Sequence, residues 1–210
     1  MSDPAELYDA ILNGDAKRAE AVTRAALEAN TDPIELVQKH MIPAMDEVGR
    51  RFECNEYFVP ELLIAARAMK TALELITPYL VQAGAEPAGR VVIGTVQGDL
   101  HDIGKNLVAS MLEGAGFQVI DLGVDVAPEK FVEIAQEKQG TIVALSALLT
   151  TTMTTMKKVV DALGKAGIRG QTKVIIGGAP ITQQYCDQIG ADGYSDNANG
   201  AVALARRLAG

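Results

Sequence analysis

Three short runs of this chain, Val91–Val96, Thr141–Ser146 and Lys173–Gly177, are apolar at nearly every position. A strand that is apolar on both faces cannot leave either in water, so it belongs inside a sheet covered on both sides. Two weaker runs, Gln118–Leu122 and Asp192–Ser195, join them. Helical stretches follow each in turn: Lys105–Glu113, Pro128–Lys138, Thr152–Ala166, Ile181–Ile189 and Ala198–Leu208. Such alternation predicts a parallel sheet with helices on both faces. The expected fold of this half is α/β, a flavodoxin-like, doubly wound, five-stranded parallel sheet. In such sheets ligands bind beyond the carboxyl ends of the strands, where strand order reverses, so the loops after the strands are where chemistry is sought.

The chain before residue 84 has no such alternation and reads as helix throughout. Asp3-Pro4 with Glu6, and Asp32-Pro33 with Glu35, each offer an N-cap, a proline at the first helical position and a glutamate at the third. Gly14-Asp15 closes one helix and caps the next. Ile34, Val37, Met41, Met45, Val48 and Phe52 form one apolar stripe, and Leu62, Ala66, Met69, Leu73 and Ile76 another. Four helices in about 80 residues make a small antiparallel bundle. Pro43 is expected to kink the third helix, and Pro78 to kink or end the fourth. Gly84-Ala85-Glu86-Pro87-Ala88-Gly89 reads as the linker. The expected domains are a helical bundle over residues 1–88 and an α/β domain over residues 89–210.

Charge and composition narrow the function. With 19 Lys+Arg against 27 Asp+Glu the net charge is −8, which leaves no basic footprint for a phosphate backbone and argues against a nucleic-acid partner. The two cysteines, Cys54 and Cys186, are far apart and without a Cys-x-x-Cys or Cys/His pairing, so neither a disulfide framework nor a zinc site is indicated. They read as small, largely inert residues. Met1-Ser2-Asp3-Pro4-Ala5-Glu6 lacks the basic start and apolar stretch of a signal peptide, and a cytoplasmic setting is expected. Gln139–Met156 carries no charge over 18 residues, yet six are threonines and the run opens like a strand, so a membrane span is the poorer reading.

The loops after the strands carry the chemistry. After the first comes Gly98-Asp99-Leu100-His101-Asp102-Ile103-Gly104-Lys105-Asn106, with one of only two histidines in the chain. Asp99, two residues before His101, is close enough for its carboxylate to bind one ring nitrogen, fixing the tautomer and leaving the other nitrogen free for a metal. Gly98 and Gly104 remove side chains on either side, which lets something large and flat approach. After the third strand stands Ser146-Ala147-Leu148-Leu149-Thr150-Thr151-Thr152, and after the fourth Gly177-Gly178-Ala179-Pro180. Each alone has an ordinary account: a surface histidine, a capped helix start, a plain turn. Together they offer a histidine with its carboxylate, a hydroxyl patch and a side-chain-free groove, as a bulky metallo-cofactor with a long tail requires.

Asp99-x-His101-x-x-Gly104, then Ser146-x-Leu148, then Gly177-Gly178 resembles the signature of cobalamin-binding domains of the methionine synthase type. The N-terminal bundle resembles their helical cap, and Glu56-Tyr57-Phe58-Val59-Pro60-Glu61-Leu62 the start of its last helix. The resemblance covers nearly the whole chain, and the layout is similar to corrinoid proteins of methyltransferase systems that act on methylamines, methanol, glycine betaine or aryl methyl ethers.

The resemblance implies cobalamin as cofactor and His101 as lower axial ligand of its cobalt, in place of the cofactor's own benzimidazole. Ser146 would bond that displaced base, and Gly177 and Gly178 would leave room for its tail. Asp99 and Thr152 would complete a His-Asp-hydroxyl relay, with threonine where the family usually has serine. Asp102, Ile103, Leu148 and Thr150 would join Gly98 and Gly104 against the cofactor, and Tyr194-Ser195-Asp196-Asn197-Ala198 resembles the segment that holds the tail. The implied role is a methyl carrier. Cobalt(I) accepts a methyl group through a substrate-specific methyltransferase and donates it, as methyl-cobalt(III), to a second methyltransferase whose acceptor is coenzyme M or tetrahydrofolate. A reductive activator is an implied third partner. The bundle would shield the methyl face with apolar side chains near Phe58, Leu62 or Met69, and would move aside for each partner.

Other readings fit less well. A phosphoreceiver needs an acceptor aspartate where Ser146 stands, and an FMN carrier needs a hydroxyl-rich phosphate loop after the first strand. A cobalamin-sensing regulator needs a basic DNA-binding module. The serious alternative is the cobalamin subunit of an adenosylcobalamin-dependent mutase, which shares the Asp-x-His-x-x-Gly motif. No Ser/His/Asp or Cys/His set is present to suggest that the chain catalyses a step by itself. His40 reads as a solvated or capping residue, and Lys157-Lys158 and Arg206-Arg207 as solvated helix faces.

Overall fold

The computed structural model describes residues 5–210. Asp3-Pro4 of the first helix-start signal lies outside the described residues. The chain divides into two compact units, one reaching Pro87 and taking in Glu113–Gly116, the other Ala88–Leu112 with Phe117–Gly210.

The first unit is helical. It runs through α1 (Ala5–Leu12), α2 (Ala16–Glu28), a single turn α3 (Pro33–Glu35), a wide π-helical turn (Leu36–Met41), α4 (Ile42–Glu53) and α5 (Val59–Gln82). Asp15 caps α2 by accepting the Arg18 N–H at 3.0 Å, and Asp32 caps α3 by accepting that of Ile34 at 2.9 Å. Leu7, Ile11, Leu36, Met41, Val48, Leu62, Met69 and Ile76 are buried and form its core. Leu62 and Met69 thus belong to the bundle's own packing, whereas Phe58 is 60% exposed.

Pro43 leaves its mark as the π-helical turn just ahead of it, where Ile42 N–H reaches back five residues to the Val37 carbonyl. In a regular helix the proline ring crowds the carbonyl four residues earlier, and a wider turn relieves that clash. Pro78 does not end α5, which continues to Gln82. The carbonyl it orphans is that of Glu74, an exposed residue in reach of water.

The second unit alternates β1 (Arg90–Thr95), α6 (Ile103–Gly114), β2 (Gln118–Asp121), α7 (Pro128–Glu137), β3 (Ile142–Ser146), α8 (Thr150–Lys165), β4 (Lys173–Gly177), α9 (Gln183–Ile189), β5 (Gly193–Tyr194) and α10 (Ala198–Ala209). The strands pair in parallel in the order β2-β1-β3-β4-β5, the doubly wound topology expected, with the reversal between β1 and β3. Val92, Val143, Phe131, Met156, Leu163 and Ile176 are all within its buried core. Strand β5 is only two residues long, and the residues on either side of it add side-chain bonds to their backbone bonds with β4. Asp192 accepts the Val174 N–H at 2.6 Å and pairs with Arg169 at 2.7 Å, while the Ser195 hydroxyl turns to the Asn197 carbonyl. Register matters more: Thr95 stands opposite Ser146, and Ser146 opposite Gly177. The three motif-bearing strand ends therefore lie level, side by side.

Among the described residues no helix is long and apolar enough to cross a membrane.

Candidate functional site

Directly after β1 the chain turns at Gly98, whose φ of +88° is a left-handed conformation that a side chain would strain. The turn, closed by Asp99 N–H on the Val96 carbonyl at 3.1 Å, sends the Asp99 side chain into the protein, where it is fully buried. A buried carboxylate must be hydrogen-bonded, and this one accepts from several groups. Oδ1 receives the His101 N–H at 3.1 Å and lies 2.7 Å from His101 Nδ1. Oδ2 lies 2.6 Å from the Thr152 hydroxyl and accepts the N–H groups of Leu148 and Leu149 at 2.8 and 3.3 Å.

The Oδ2 partners stand at the start of α8, whose N-cap residue, Leu149, has no side chain that can serve as one. Asp99 fills that role from another loop, an anion placed on the unpaired N–H groups of a helix N-terminus. Burial pushes the Asp99 carboxyl up, but the bonds from Thr152, Leu148 and His101 outweigh it and hold the group well below the usual carboxylate range. An ionised carboxylate can only accept, so the proton between them sits on His101 Nδ1. Nε2 is left with its lone pair on a ring that is about half exposed, at 52%.

The surroundings of that nitrogen are apolar and open. Leu100 and Ile103 are 71% and 80% exposed, Leu148 and Leu149 are exposed, and beyond its chain neighbours and its own helix backbone no atom lies within 4 Å of where a Gly104 Cβ would stand. Asp102 starts α6, accepting the Asn106 side-chain amide at 3.0 Å. The hydroxyls of Ser146 and Thr150 are exposed or half-buried and bond to none of the described residues. Gly177 and Gly178 lie at the same edge, but Gly178 is required first by the protein itself. Its φ is +129°, and a Cβ there would stand 1.9 Å from the Ala147 carbonyl oxygen. Ser195 borders Gly177, and Asn197 caps α10 by accepting the Gly200 N–H at 2.7 Å.

Three residues that the sequence reading gave no role also support the turn. Thr95, wholly buried, donates its hydroxyl to the His101 carbonyl at 2.8 Å. Lys105, 3% exposed, sets its ammonium on Asp121 at the end of β2 and on the Asn106 side chain. Asp125 accepts the Gly98 N–H at 2.7 Å and donates its own N–H to the Asp99 carbonyl at 3.0 Å. A β-branched residue in a strand gives no local sign of such a duty. Aspartate after glycine in Gly123-Val124-Asp125 signals only a turn.

Comparison with known proteins names the occupant of such an edge. Residues 89–203 match a family model described as B12 binding domain, and residues 5–77 match a second model of the same description. The chain belongs to the B12-binding corrinoid proteins of methyltransferase systems. Among its corrinoid relatives, trimethylamine corrinoid protein 1 of Methanosarcina acetivorans is 47% identical over 206 residues, covering 97% of this chain and 95% of that protein. A cobalamin-binding protein from Desulfitobacterium hafniense superposes with a TM-score of 0.80 at 36% identity, each chain covered fully. A chain in the methanol:cobalamin methyltransferase complex of Methanosarcina barkeri gives 0.86 at 31% identity, covering 97% of this chain and 78% of that one.

Cobalamin is therefore the cofactor, and the edge fits it. The His101 ring offers a single nitrogen donor at this edge, and Asp99, with both oxygens engaged, offers no second one. Such a donor set suits a metal that brings its equatorial ligands in a macrocycle. The apolar rim and the open space at Gly104 accommodate a flat face, and the unpartnered Ser146 and Thr150 hydroxyls offer bonds to polar side groups.

Proposed function

We propose that this chain is a methyl carrier working between two methyltransferases, with a methylamine, trimethylamine foremost, as methyl donor. The observation that carries it is the His101 ring held by buried Asp99 with Nε2 free at the carboxyl edge of the sheet. Bound cobalamin supplies a metal centre that takes up a methyl group and gives it to an acceptor. The geometry supports the following residue roles. His101 Nε2 would hold the metal, with Asp99 keeping the Nδ1 proton in place and the ring aimed. Thr152 and the α8 N–H groups would keep the Asp99 charge fixed beside the ring whether or not the ring holds the metal. Ser146 and Thr150 bond the cofactor's polar groups, and Gly104, Ile103 and Leu148 seat its face.

Substrate chemistry belongs to partners in this reading, and two observations support it. The donor is suggested by the trimethylamine relative, and a methyltransferase partner by the complex in which the solved relative sits. The second methyltransferase, with coenzyme M or tetrahydrofolate as acceptor, and a reductive activator complete the system.

The test is reconstitution with hydroxocobalamin, gel filtration and an absorption spectrum, beside His101→Ala. Retained corrinoid with a histidine-ligated spectrum that is lost in the variant is expected. No retained corrinoid, or an unchanged spectrum in the variant, overturns the assignment. Incubating the reduced protein with trimethylamine and a trimethylamine methyltransferase then checks the donor through the shift to the methylated spectrum.

A further inference from the structure

We propose that Asp125, in the loop after β2, is a positioning residue for His101, clamping the backbone of the ligand-bearing turn from the side opposite α8. The inference rests on the reading of His101 as axial ligand.

Two hydrogen bonds of opposite sense join this one residue to consecutive residues of the turn. Asp125 Oδ1 accepts from Gly98 N–H at 2.7 Å, and Asp125 N–H donates to the Asp99 carbonyl at 3.0 Å. The pairing continues the sheet beyond its strands. Val126 N–H reaches the Thr95 carbonyl at 3.0 Å, Thr95 N–H the Gly123 carbonyl at 2.9 Å, and Val96 bridges Val126 in parallel. Residues 123–126 thus run beside 95–99 as a splint.

Asp125 adopts this position at a conformational cost. Its φ is 55°, in the left-handed region that aspartate tolerates better than most residues but that still disfavours a side chain. A turn that needed only the backbone shape would be served as well by glycine, as it is at Gly123, φ 81°. What glycine cannot supply is the carboxylate that holds Gly98 N–H.

The consequence falls on His101 through Asp99. The Asp99 carboxylate is fixed from within by Thr152, Leu148 and Leu149, but its backbone is fixed from without by Asp125 and by Val96. Between these anchors the carboxylate keeps one direction, and the imidazole on Oδ1 follows it. Without the outer anchor the turn gains freedom at Gly98, and the ring samples orientations in which Nε2 is off the metal axis.

The experiment uses the full chain with three substitutions: Asp125→Ala removes the acceptor, Asp125→Asn keeps an acceptor oxygen, and Asp125→Gly removes it while relieving the backbone. Each is made with nitrogen-15-labelled histidine, loaded with cobalamin, reduced to the cobalt(II) state, and measured by electron paramagnetic resonance for the two-line nitrogen splitting of a labelled axial imidazole, distinct from the three-line splitting of the cofactor's own base. The expectation is a twofold or greater loss of the two-line split fraction in the Ala and Gly variants and retention in Asn. In the cofactor-free protein, Gly98 amide exchange should quicken about tenfold or more in Ala and Gly only. An Ala variant with the wild-type split fraction overturns the proposal, as does an Asn variant that fails like Ala. A wild type without the two-line splitting overturns the His101 assignment instead. The amide exchange then still decides the clamp, and a Gly98 amide that exchanges in Ala as in wild type overturns it.

Discussion

The two units bury polar groups on opposite terms. In the helical unit the Thr23 hydroxyl is wholly buried with no partner, the only such side-chain atom among the described residues. In the α/β unit the buried Asp99 carboxylate is met by donors from its own turn and from α8. A hydroxyl can be left unpaired at a cost of about 1–3 kcal/mol, whereas an isolated buried charge is far more costly. The bundle keeps its charges at the surface, where Glu47 bridges Arg50 and Arg51 and is lowered to about 2 by hydrogen bonds from them. Such surface pairs add little to stability. Apolar packing holds the one unit, and at the carboxyl edge of the other a set of directed donors holds one carboxylate.

The largest effect that would sharpen this contrast is expected from Asp99→Ala. It strands several donors and should cost about 3 kcal/mol in urea unfolding and abolish the histidine-ligated spectrum. A loss below about 1 kcal/mol breaks the contrast. The acid limb of stability reads the same group. A carboxyl depressed from 3.8 contributes fully above that pH and is lost as pH falls toward its lower native value. Asp99→Asn should therefore flatten the decline below about pH 4 seen in the wild type.

Thr152→Val removes one donor and should cost about 1–2 kcal/mol, with Thr152→Ser restoring most of it. The matching change in the bundle, Thr23→Val, removes a hydroxyl that bonds nothing, so unfolding should be unchanged or up to about 1 kcal/mol more favourable to the native state. If Thr23→Val costs as much as Thr152→Val, the two units do not differ as described. Glu47→Gln should have the smallest effect, leaving the urea midpoint within scatter once salt screens the pair.

What could be read from the sequence follows the range of the interaction. The central strands β1, β3 and β4 were legible because burial on both faces leaves a run almost without polar positions, and β4 begins and ends where expected, at Lys173 and Gly177. His101 and Asp99 were legible because they are two residues apart in one turn. Thr152, 53 residues from Asp99, was placed by resemblance alone, and the structure sets its hydroxyl on Asp99. Lys105 and Asp125 were not legible, since each bonds a loop or strand end whose proximity only the sheet register creates, and Thr95 was not because its bond to the His101 carbonyl depends on how the turn after β1 folds back. The π-helical turn before Pro43 and the passage of α5 through Pro78 were hidden for another reason. A proline announces a missing N–H but not whether the helix widens or water takes over.

The sharing of Asp99 between His101 and the N-terminus of α8 has an electronic consequence. A carboxylate bound to one imidazole alone pushes its charge onto that ring and makes it a strong base. Here the same charge is drawn on by a hydroxyl, by backbone amides and by the dipole of a 16-residue helix. On the proposed reading the ring receives only part of that charge, which would suit a ligand surrendered and regained as the methyl group comes and goes. Thr152 is the tap on that division: with its hydroxyl removed, more of the charge reaches the ring and the axial bond should tighten.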